Sequence, residues 1–198
     1  MVFIVLSLDA KREERGGKGM ENQQTRTVYL ISGPAGVGKS TISMALTYKL
    51  EHSAYISGDV VSHMHINGRK KPWESEEELS LIWDNILSLV RNFVRYGHDV
   101  VVDYVAFPQH ATWLLECVKD FNVTVKYVVL WTDAETLRKR DAKRAPGQQM
   151  GERCLILLNE FRASGVDQKH FLDIGEKYSD DIRPIISEIL NNQRFCVD

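Results

Sequence analysis

Residues 27–40 read TVYLISGPAGVGKS and give the clearest indication of the fold. Its first six residues are mostly β-branched, aromatic or aliphatic, and they predict a buried strand over Thr27–Ser32. Gly33–Ser40 then fits the pattern G-x-x-x-x-G-K-[ST] at every position. Residues 39–51 change to helical spacing, with apolar side chains on one face. A strand, a glycine-rich loop and a helix in this order predict a phosphate-binding loop rather than a turn that only joins two elements.

Each residue type in this loop has a physical role in holding phosphate. Glycines leave room for backbone N–H groups to turn inward around phosphate oxygens, and the following helix directs its positive dipole end at the same anion. We expect Lys39 to reach the β- and γ-phosphates of ATP and the Ser40 hydroxyl to coordinate Mg²⁺. The residues predicted to bind the nucleotide are Gly33, Pro34, Ala35, Gly36, Val37, Gly38, Lys39, Ser40 and Thr41.

The composition is that of an ordinary globular protein. The 198 residues suit one domain, and 43% hydrophobic with 26% charged residues argues against disorder. The net charge is −2, so the protein lacks the excess of basic residues that is typical of proteins that bind nucleic acid or an anionic membrane. Neither partner is therefore expected. Val2–Leu8 is too short to span a bilayer and lacks the features of a signal peptide. Three cysteines without paired spacing suit a cytoplasmic location.

Strands and helices alternate along the rest of the chain. Further strands are predicted at Ala54–Ser57, Val100–Val102, Thr124–Trp131 and Phe171–Ile174. Further helices are predicted over residues 76–96, 108–120, 134–145, 151–163 and 179–192. This alternation predicts an α/β fold in which helices cover both faces of a parallel sheet. The chain then divides into an extension, residues 1–26, and a single domain, residues 27–198, with a helical lid at about 136–165.

The extension has two interpretations. Residues 9–19 are charged and glycine-rich without periodicity, which is typical of a frayed terminal segment. Alternatively, translation starts at Met20, because Arg15-Gly16-Gly17 is what a purine-rich ribosome-binding site yields when it is translated. The mass of the native protein distinguishes the two interpretations.

Two carboxylates follow predicted strands at the edge where parallel sheets place ligands. Asp59 can accept the proton of a substrate hydroxyl that attacks the γ-phosphate, or it can orient that hydroxyl. It also stands where an aspartate caps a helix that starts at Val60, and the cap and the catalytic role can coexist. Asp103 ends the third strand, either as a second Mg²⁺ ligand or as a simple turn residue.

A basic segment, residues 136–146, carries five basic side chains and one acidic side chain, Asp141. Arg140 and Arg144 are four residues apart and are expected to share a helix face. Two guanidinium groups on one face suit a polyphosphate whose charge spreads during transfer, whereas the alternative is a solvated charged face. The segment 63–73, with two histidines and three consecutive basic residues, is either a substrate-contacting loop or a solvated connector.

Taken together, these residues resemble the small P-loop kinases, which include gluconate kinase, shikimate kinase, chloramphenicol phosphotransferase and the zeta-toxin-like kinases. Gly33–Ser40 matches the nucleotide loop of the family, and Asp59 falls at its substrate-side aspartate. The strand that ends in Asp103 is similar to the Walker B strand. Arg140 and Arg144 are similar to the start of the lid, in which the first arginine lies by the adenine and the second by the phosphates.

The resemblance covers about residues 27–192 and implies the fold and the activity. The implied fold has three layers, as in P-loop NTPases, with about five parallel strands in the order 2-3-1-4-5. It also implies that residues 173–177 line the adenine.

The expected activity is ATP- and Mg²⁺-dependent transfer of the γ-phosphoryl group to a hydroxyl of a small molecule, such as a sugar acid, a nucleoside or an antibiotic. Its expected catalytic residues are Lys39, Asp59, Arg140 and Arg144, and its expected metal ligands are Ser40 and Asp103. The alternatives are a P-loop ATPase or nucleotide-binding switch, a toxin-like kinase and a nucleic-acid 5′-hydroxyl kinase. The protein is expected to be a monomer or a homodimer.

Overall fold

The computed structural model describes residues 25–145, 147, 149–175 and 181–198. Within these residues the chain forms five β-strands and seven α-helices. The strands are β1 (Arg26–Ser32), β2 (Ser53–Ser57), β3 (Asp99–Asp103), β4 (Val123–Trp131) and β5 (Phe171–Asp173). The helices are α1 (Lys39–Lys49), α2 (Gly58–Met64), α3 (Glu76–Arg95), α4 (Pro108–Val118), α5 (Ala134–Ala142), α6 (Glu152–Ala163) and α7 (Arg183–Asn191).

All five strands are parallel, and they lie in the order β2-β3-β1-β4-β5. The central strand β1 pairs with β3 and β4, so that Leu30 stands opposite Val102 on one side and Tyr127 on the other. Because helices cover both faces of the sheet, consecutive side chains of β1 are buried, which explains its continuous apolar sequence. The predicted α/β class, the three layers and the strand order are therefore confirmed.

Two hydrophobic clusters hold the helices against the sheet. On one face, Ile86 and Val90 of α3 and Leu114 of α4 pack against the strands. On the other face, Leu46 of α1 and Ile189 of α7 do the same. The candidate site lies at the ends of the strands, between the helices of the two faces. Both clusters therefore support the segments that carry the site residues.

Helix α3 shows why the predicted helices form where they do. The Ser75 hydroxyl accepts a hydrogen bond from the Glu78 N–H at 3.3 Å, and three glutamates in the first turn interact favourably with the helix dipole. Apolar side chains at steps of three and four residues face the sheet. Gly97 follows the helix at φ +80°, a conformation that ends helices readily. None of the described helices is long and apolar enough to cross a membrane.

Two local predictions need correction at their boundaries. The helix starting at Val60, which the sequence offered only as an alternative for Asp59, is present as α2, and it begins two residues earlier, at Gly58. The helix predicted over 134–145 ends at Ala142, because the chain turns at Lys143 and the Asp141 carboxylate binds backbone N–H groups farther along. Residues 1–24, including Met20, and residues 176–177 of the predicted adenine segment lie outside the described residues.

Candidate active site

The phosphate-binding loop joins β1 to α1 and has the backbone that its glycines predict. Gly33, Gly36 and Gly38 have φ values of +133°, +82° and +114°. Glycine is required most clearly at Gly33, where a Cβ atom would also collide with the carbonyl oxygen of Leu130 on β4. The loop is therefore pressed against the sheet, with its conformation determined by β1 and β4 together.

Lys39 folds back over this loop. Its Nζ donates hydrogen bonds to the carbonyl oxygens of Gly33 at 3.0 Å and Pro34 at 3.1 Å. Burial lowers the pKa of Lys39, whereas the carboxylates of Asp103 and Asp59 act to raise it and Arg144 acts to lower it further. Four charged groups that are far apart in the sequence are thus close enough to interact at one place.

Asp103 lies at the end of β3 and is 5% exposed. Its Oδ2 accepts a hydrogen bond from the Tyr55 hydroxyl at 2.9 Å. Burial, followed by the Asp103 charge and this hydrogen bond, raises the pKa of Tyr55 to about 12, although the hydroxyls of Ser57 and Ser40 act in the opposite direction. Tyr55 therefore stays protonated near neutral pH and donates to Asp103 while lying close to Ser40.

Tyr55 is a site residue that the sequence-based prediction missed. It lies on β2, which pairs with β3 so that Tyr55 stands opposite Val101 and Ser57 opposite Asp103. A tyrosine in a short strand is also an ordinary packing residue, so its sequence position alone carries no functional signal. Only the register of β2 against β3 places its hydroxyl beside the carboxylate.

The donor atoms at this edge of the sheet fit Mg²⁺. Asp103 offers a carboxylate oriented by Tyr55, and Ser40 offers an exposed hydroxyl. Mg²⁺ prefers such hard oxygen ligands, and it commonly takes one or two from the protein and the others from phosphates and water. The described residues contain no cluster of three or more His, Cys, Asp or Glu side chains that could hold a metal without such additional ligands.

Asp59 lies in the first turn of α2, but it does not cap the helix. The cap is Ser57, whose hydroxyl accepts a hydrogen bond from the Val60 N–H at 3.3 Å, so the alternative that made Asp59 the N-cap is wrong. The Asp59 side chain is exposed to a cavity instead. Gly58 allows this placement, because a Cβ atom there would collide with the ring of Tyr104, the residue that follows Asp103.

This cavity has a volume of about 610 Å³ and extends from the phosphate-binding loop past Asp59 and Arg144. Its remaining lining residues, here called the acceptor wall, come from three separate parts of the chain, residues 72–79, 104–110 and 150–157. The aromatic members are Trp73, Tyr104, Phe107 and His110. The aliphatic members are Pro72, Leu79, Val105, Met150 and Leu157, and the other members are Gln109 and Arg153.

The two lid arginines do not share a helix face, contrary to the prediction, because α5 ends before Arg144. Arg144 lines the cavity and lies 3.6 Å from the Asp141 carboxylate. Arg140 is not among the described residues that line the cavity. It donates hydrogen bonds to the carbonyl oxygens of Val37 at 3.1 Å and Ile174 at 2.9 Å, and it thereby joins the phosphate-binding loop to the end of β5.

Asp141 organises the start of the lid. It is 4% exposed, and its carboxylate accepts hydrogen bonds from the N–H groups of Met150 at 3.0 Å and Gly151 at 2.8 Å. Burial alone would raise its pKa, but these N–H groups and Arg144 lower the pKa below its usual value. The charged carboxylate therefore links the end of α5 to the start of α6 and holds Arg144 near the cavity.

The sequence of this chain matches the model of a known protein family. A family model described as an AAA domain, AAA_33, matches residues 28–155 of this chain. The matched region contains the phosphate-binding loop, Asp59, Asp103 and the first part of the lid. No curated protein sequence matches this chain closely enough to count as a relative.

Solved structures with a similar fold include a tunicamycin resistance protein from Deinococcus radiodurans, with 17% identity, a TM-score of 0.58 and coverage of 84% of this chain and 94% of that chain. A gluconokinase from Sinorhizobium meliloti 1021 is 17% identical, with a TM-score of 0.58, and the match covers 84% of this chain and 91% of the gluconokinase chain. The Mycobacterium tuberculosis APS kinase CysC, in complex with AMPPNP and APS, has 19% identity, a TM-score of 0.58 and coverage of 84% and 96%. These likenesses concern the fold, and they confirm the fold of the small P-loop kinases.

Proposed function

We propose that this chain, which belongs to the AAA_33 family of AAA domains, is a kinase that transfers the γ-phosphoryl group of ATP to a hydroxyl of a small molecule. The observation that carries the proposal is a single cavity lined by two chemically different groups of residues. One group is the phosphate-binding loop with Lys39, the other is the acceptor wall, and Asp59 also lines the cavity. A nucleotide switch needs the first group only, whereas a kinase needs both groups and a carboxylate near the transferred phosphoryl group.

In this proposal each residue has a defined role. The loop amides and Lys39 bind the phosphates, and Ser40 and Asp103 hold Mg²⁺, with Tyr55 keeping the Asp103 carboxylate in place. When bound, Mg²⁺ neutralises charge on the β- and γ-phosphates. Arg144 lines the cavity near Lys39, where its guanidinium can bind the transferring phosphoryl group.

Asp59 acts on the acceptor. Its carboxylate orients the acceptor hydroxyl and accepts its proton as the new O–P bond forms and the bond between the γ-phosphorus and the bridging oxygen breaks. ADP and the phosphorylated acceptor are the products. Arg140 contacts Val37 and Ile174, which favours a role in positioning the phosphate-binding loop. A direct catalytic role of Arg140 stays a prediction.

We also propose a cytoplasmic location for the protein. Cys117, Cys154 and Cys196 are all free thiols, which fits the proposed cytoplasmic location. A toxin-like kinase would use the same residues on a different acceptor, so the acceptor screen below includes activated sugars and antibiotics.

The test is a screen of sugars, sugar acids, nucleosides, activated sugars and antibiotics with labelled ATP, read by mass for a phosphorylated product. We expect Lys39→Ala to abolish transfer. We expect Asp59→Asn to bind ATP normally but to lose most turnover, about 10²–10⁴-fold, because only the proton-accepting group is changed. Unchanged turnover in Asp59→Asn would refute its role. Acceptor-independent ATP hydrolysis without any phosphorylated product would favour the nucleotide switch instead.

A further inference from the structure

We propose that the acceptor is an alcohol that carries a flat aromatic group, and that the acceptor wall binds this group. The inference rests on the proposed function, because it names the chemistry of the molecule that the same cavity would phosphorylate. Three observations carry it: the composition of the acceptor wall, the placement of Trp73 and the hydrogen bonding of His110.

The composition of the acceptor wall favours carbon over hydroxyl groups. Most of its side chains are aliphatic or aromatic, and none of its described members carries a carboxylate. A sugar or sugar acid has a hydroxyl on nearly every carbon, and each hydroxyl that is buried without a partner is costly. A flat aromatic group instead buries a large apolar area and gains from stacked or edge-to-face contacts. The wall therefore suits a ring with few polar substituents better than a polyol.

Trp73 provides a stacking surface at the cavity. Trp73 is 52% exposed and lines the cavity, so part of its ring surface is accessible there. The Arg153 guanidinium lies 5.5 Å from the indole ring centroid, and the Lys71 Nζ lies 5.7 Å from it. Arg153 is itself held by Glu160 through hydrogen bonds of 2.9 Å and 3.4 Å. These cation–π contacts restrain the indole at the cavity, where about half of the residue's surface remains exposed.

His110 adds a directional polar group to the wall. Its ring is stacked on the buried Trp83 ring, with centroids 4.7 Å apart and planes 11° apart. Nδ1 accepts a hydrogen bond from the Phe107 N–H at 3.0 Å, so a neutral ring carries its proton on Nε2. Burial lowers the pKa of His110, which keeps the ring neutral near pH 7. Nε2–H can then donate to a heteroatom on the aromatic group.

The test uses matched pairs of alcohols that differ in the ring. Adenosine is compared with methyl riboside, and 1-phenylethane-1,2-diol with propane-1,2-diol. Binding to the full chain is measured by calorimetry in the presence of Mg²⁺ and a non-hydrolysable ATP analogue. We expect the aromatic member to bind at least tenfold more tightly in at least one pair, and the pair that responds distinguishes a nucleobase from an aryl group. Equal affinity within each pair overturns the inference.

Variants localise the selectivity to the wall. We expect Trp73→Leu to reduce the preference for the aromatic member about tenfold, which equals about 1.4 kcal/mol, while Trp73→Phe retains most of it. Affinity for the ring-free alcohol is measured in each variant, so that the preference is the ratio of the two affinities. Tyr48→Leu is the matched control, because Tyr48 is an 83% exposed aromatic residue on α1 that does not line the cavity. An unchanged preference in Trp73→Leu contradicts the assignment of the wall.

The binding readout separates this inference from the proposed function. If both members of each pair bind equally but ring-free alcohols are phosphorylated, the inference is wrong and the kinase stands. If the aromatic alcohols bind selectively but none of the alcohols tested is phosphorylated and ATP is hydrolysed without an acceptor, the binding site stands and the kinase is wrong.

Discussion

Replacement of Tyr55 by phenylalanine removes one oxygen atom and tests the metal side of the site. The hydroxyl donates to Asp103 Oδ2 at 2.9 Å, and Asp103 is 5% exposed, so water cannot readily replace the lost donor. A hydrogen bond to a buried charged group contributes about 1.5–3 kcal/mol, and loss of a residue that orients a metal ligand typically weakens metal affinity about 10–100-fold. We therefore expect Tyr55→Phe to need about 10–100 times more Mg²⁺ for half-maximal nucleotide binding.

The assay is a titration of Mg²⁺ at fixed nucleotide, with binding of a fluorescent ATP analogue as the readout. Binding of the analogue without Mg²⁺ should change little, because Tyr55 is not among the described residues that line the cavity. Tyr48→Phe removes the same oxygen from an exposed residue and is the control. Because the pKa of Tyr55 is raised to about 12, the ratio of the wild-type and Tyr55→Phe midpoints should be the same at pH 7 and pH 9. An unchanged Mg²⁺ midpoint in a folded Tyr55→Phe protein would refute this account of Asp103.

Two further predictions concern stability. Gly58→Ala should lower the free energy of unfolding by about 1–3 kcal/mol in urea titrations, because the new Cβ atom collides with the ring of Tyr104. Gly175→Ala is the control and should lower the free energy of unfolding less, because its Cβ atom meets only side-chain oxygens at 3.3 Å and 3.8 Å. Asp141→Asn should lower the free energy of unfolding by about 1–3 kcal/mol at pH 6, because the backbone N–H groups that it binds lose their charged acceptor. Because the folded state lowers the pKa of Asp141, its stabilisation is present above the unfolded pKa of about 3.9 and disappears as the pH falls through the folded pKa. The difference between wild type and Asp141→Asn should therefore shrink when the same titration is repeated at pH 3, and an equal difference at both pH values would contradict the role of the charge.

The elements that the sequence predicted well are those with strong local signals. The strand Thr27–Ser32 and the loop Gly33–Ser40 form one continuous segment, and β1 differs from the prediction by a single residue at its start. Helix α3 was predicted to within one residue, because its twenty residues repeat the apolar spacing over several turns. Helix α2 was foreseen only as an alternative starting at Val60, because its seven residues, beginning with glycine, carry no comparable periodic signal.

The relative placement of Arg140 and Arg144 was predicted wrongly. The spacing of Arg140 and Arg144 predicted a shared face, but the spacing is meaningful only if the helix continues through both residues. The contacts of Asp141 with Met150 and Gly151 turn the chain first. Arg140 then binds the loop and the end of β5, whereas Arg144 lines the cavity.

The sequence by itself determined the nucleotide end of the site, because that end is a contiguous loop whose backbone depends on glycines at three positions and on the strand and helix beside it. It also predicted that Asp59 and Asp103 lie at the same edge of the sheet, where the structure places them just after β2 and at the end of β3, and their roles stay predictions. The partner of Asp103 and the lining of the proposed acceptor wall depend instead on tertiary packing. Tyr55 reaches Asp103 through the register of two strands, and the wall joins residues from three distant segments. Contacts between distant segments depend on how the layers pack, and no local pattern in the chain encodes them.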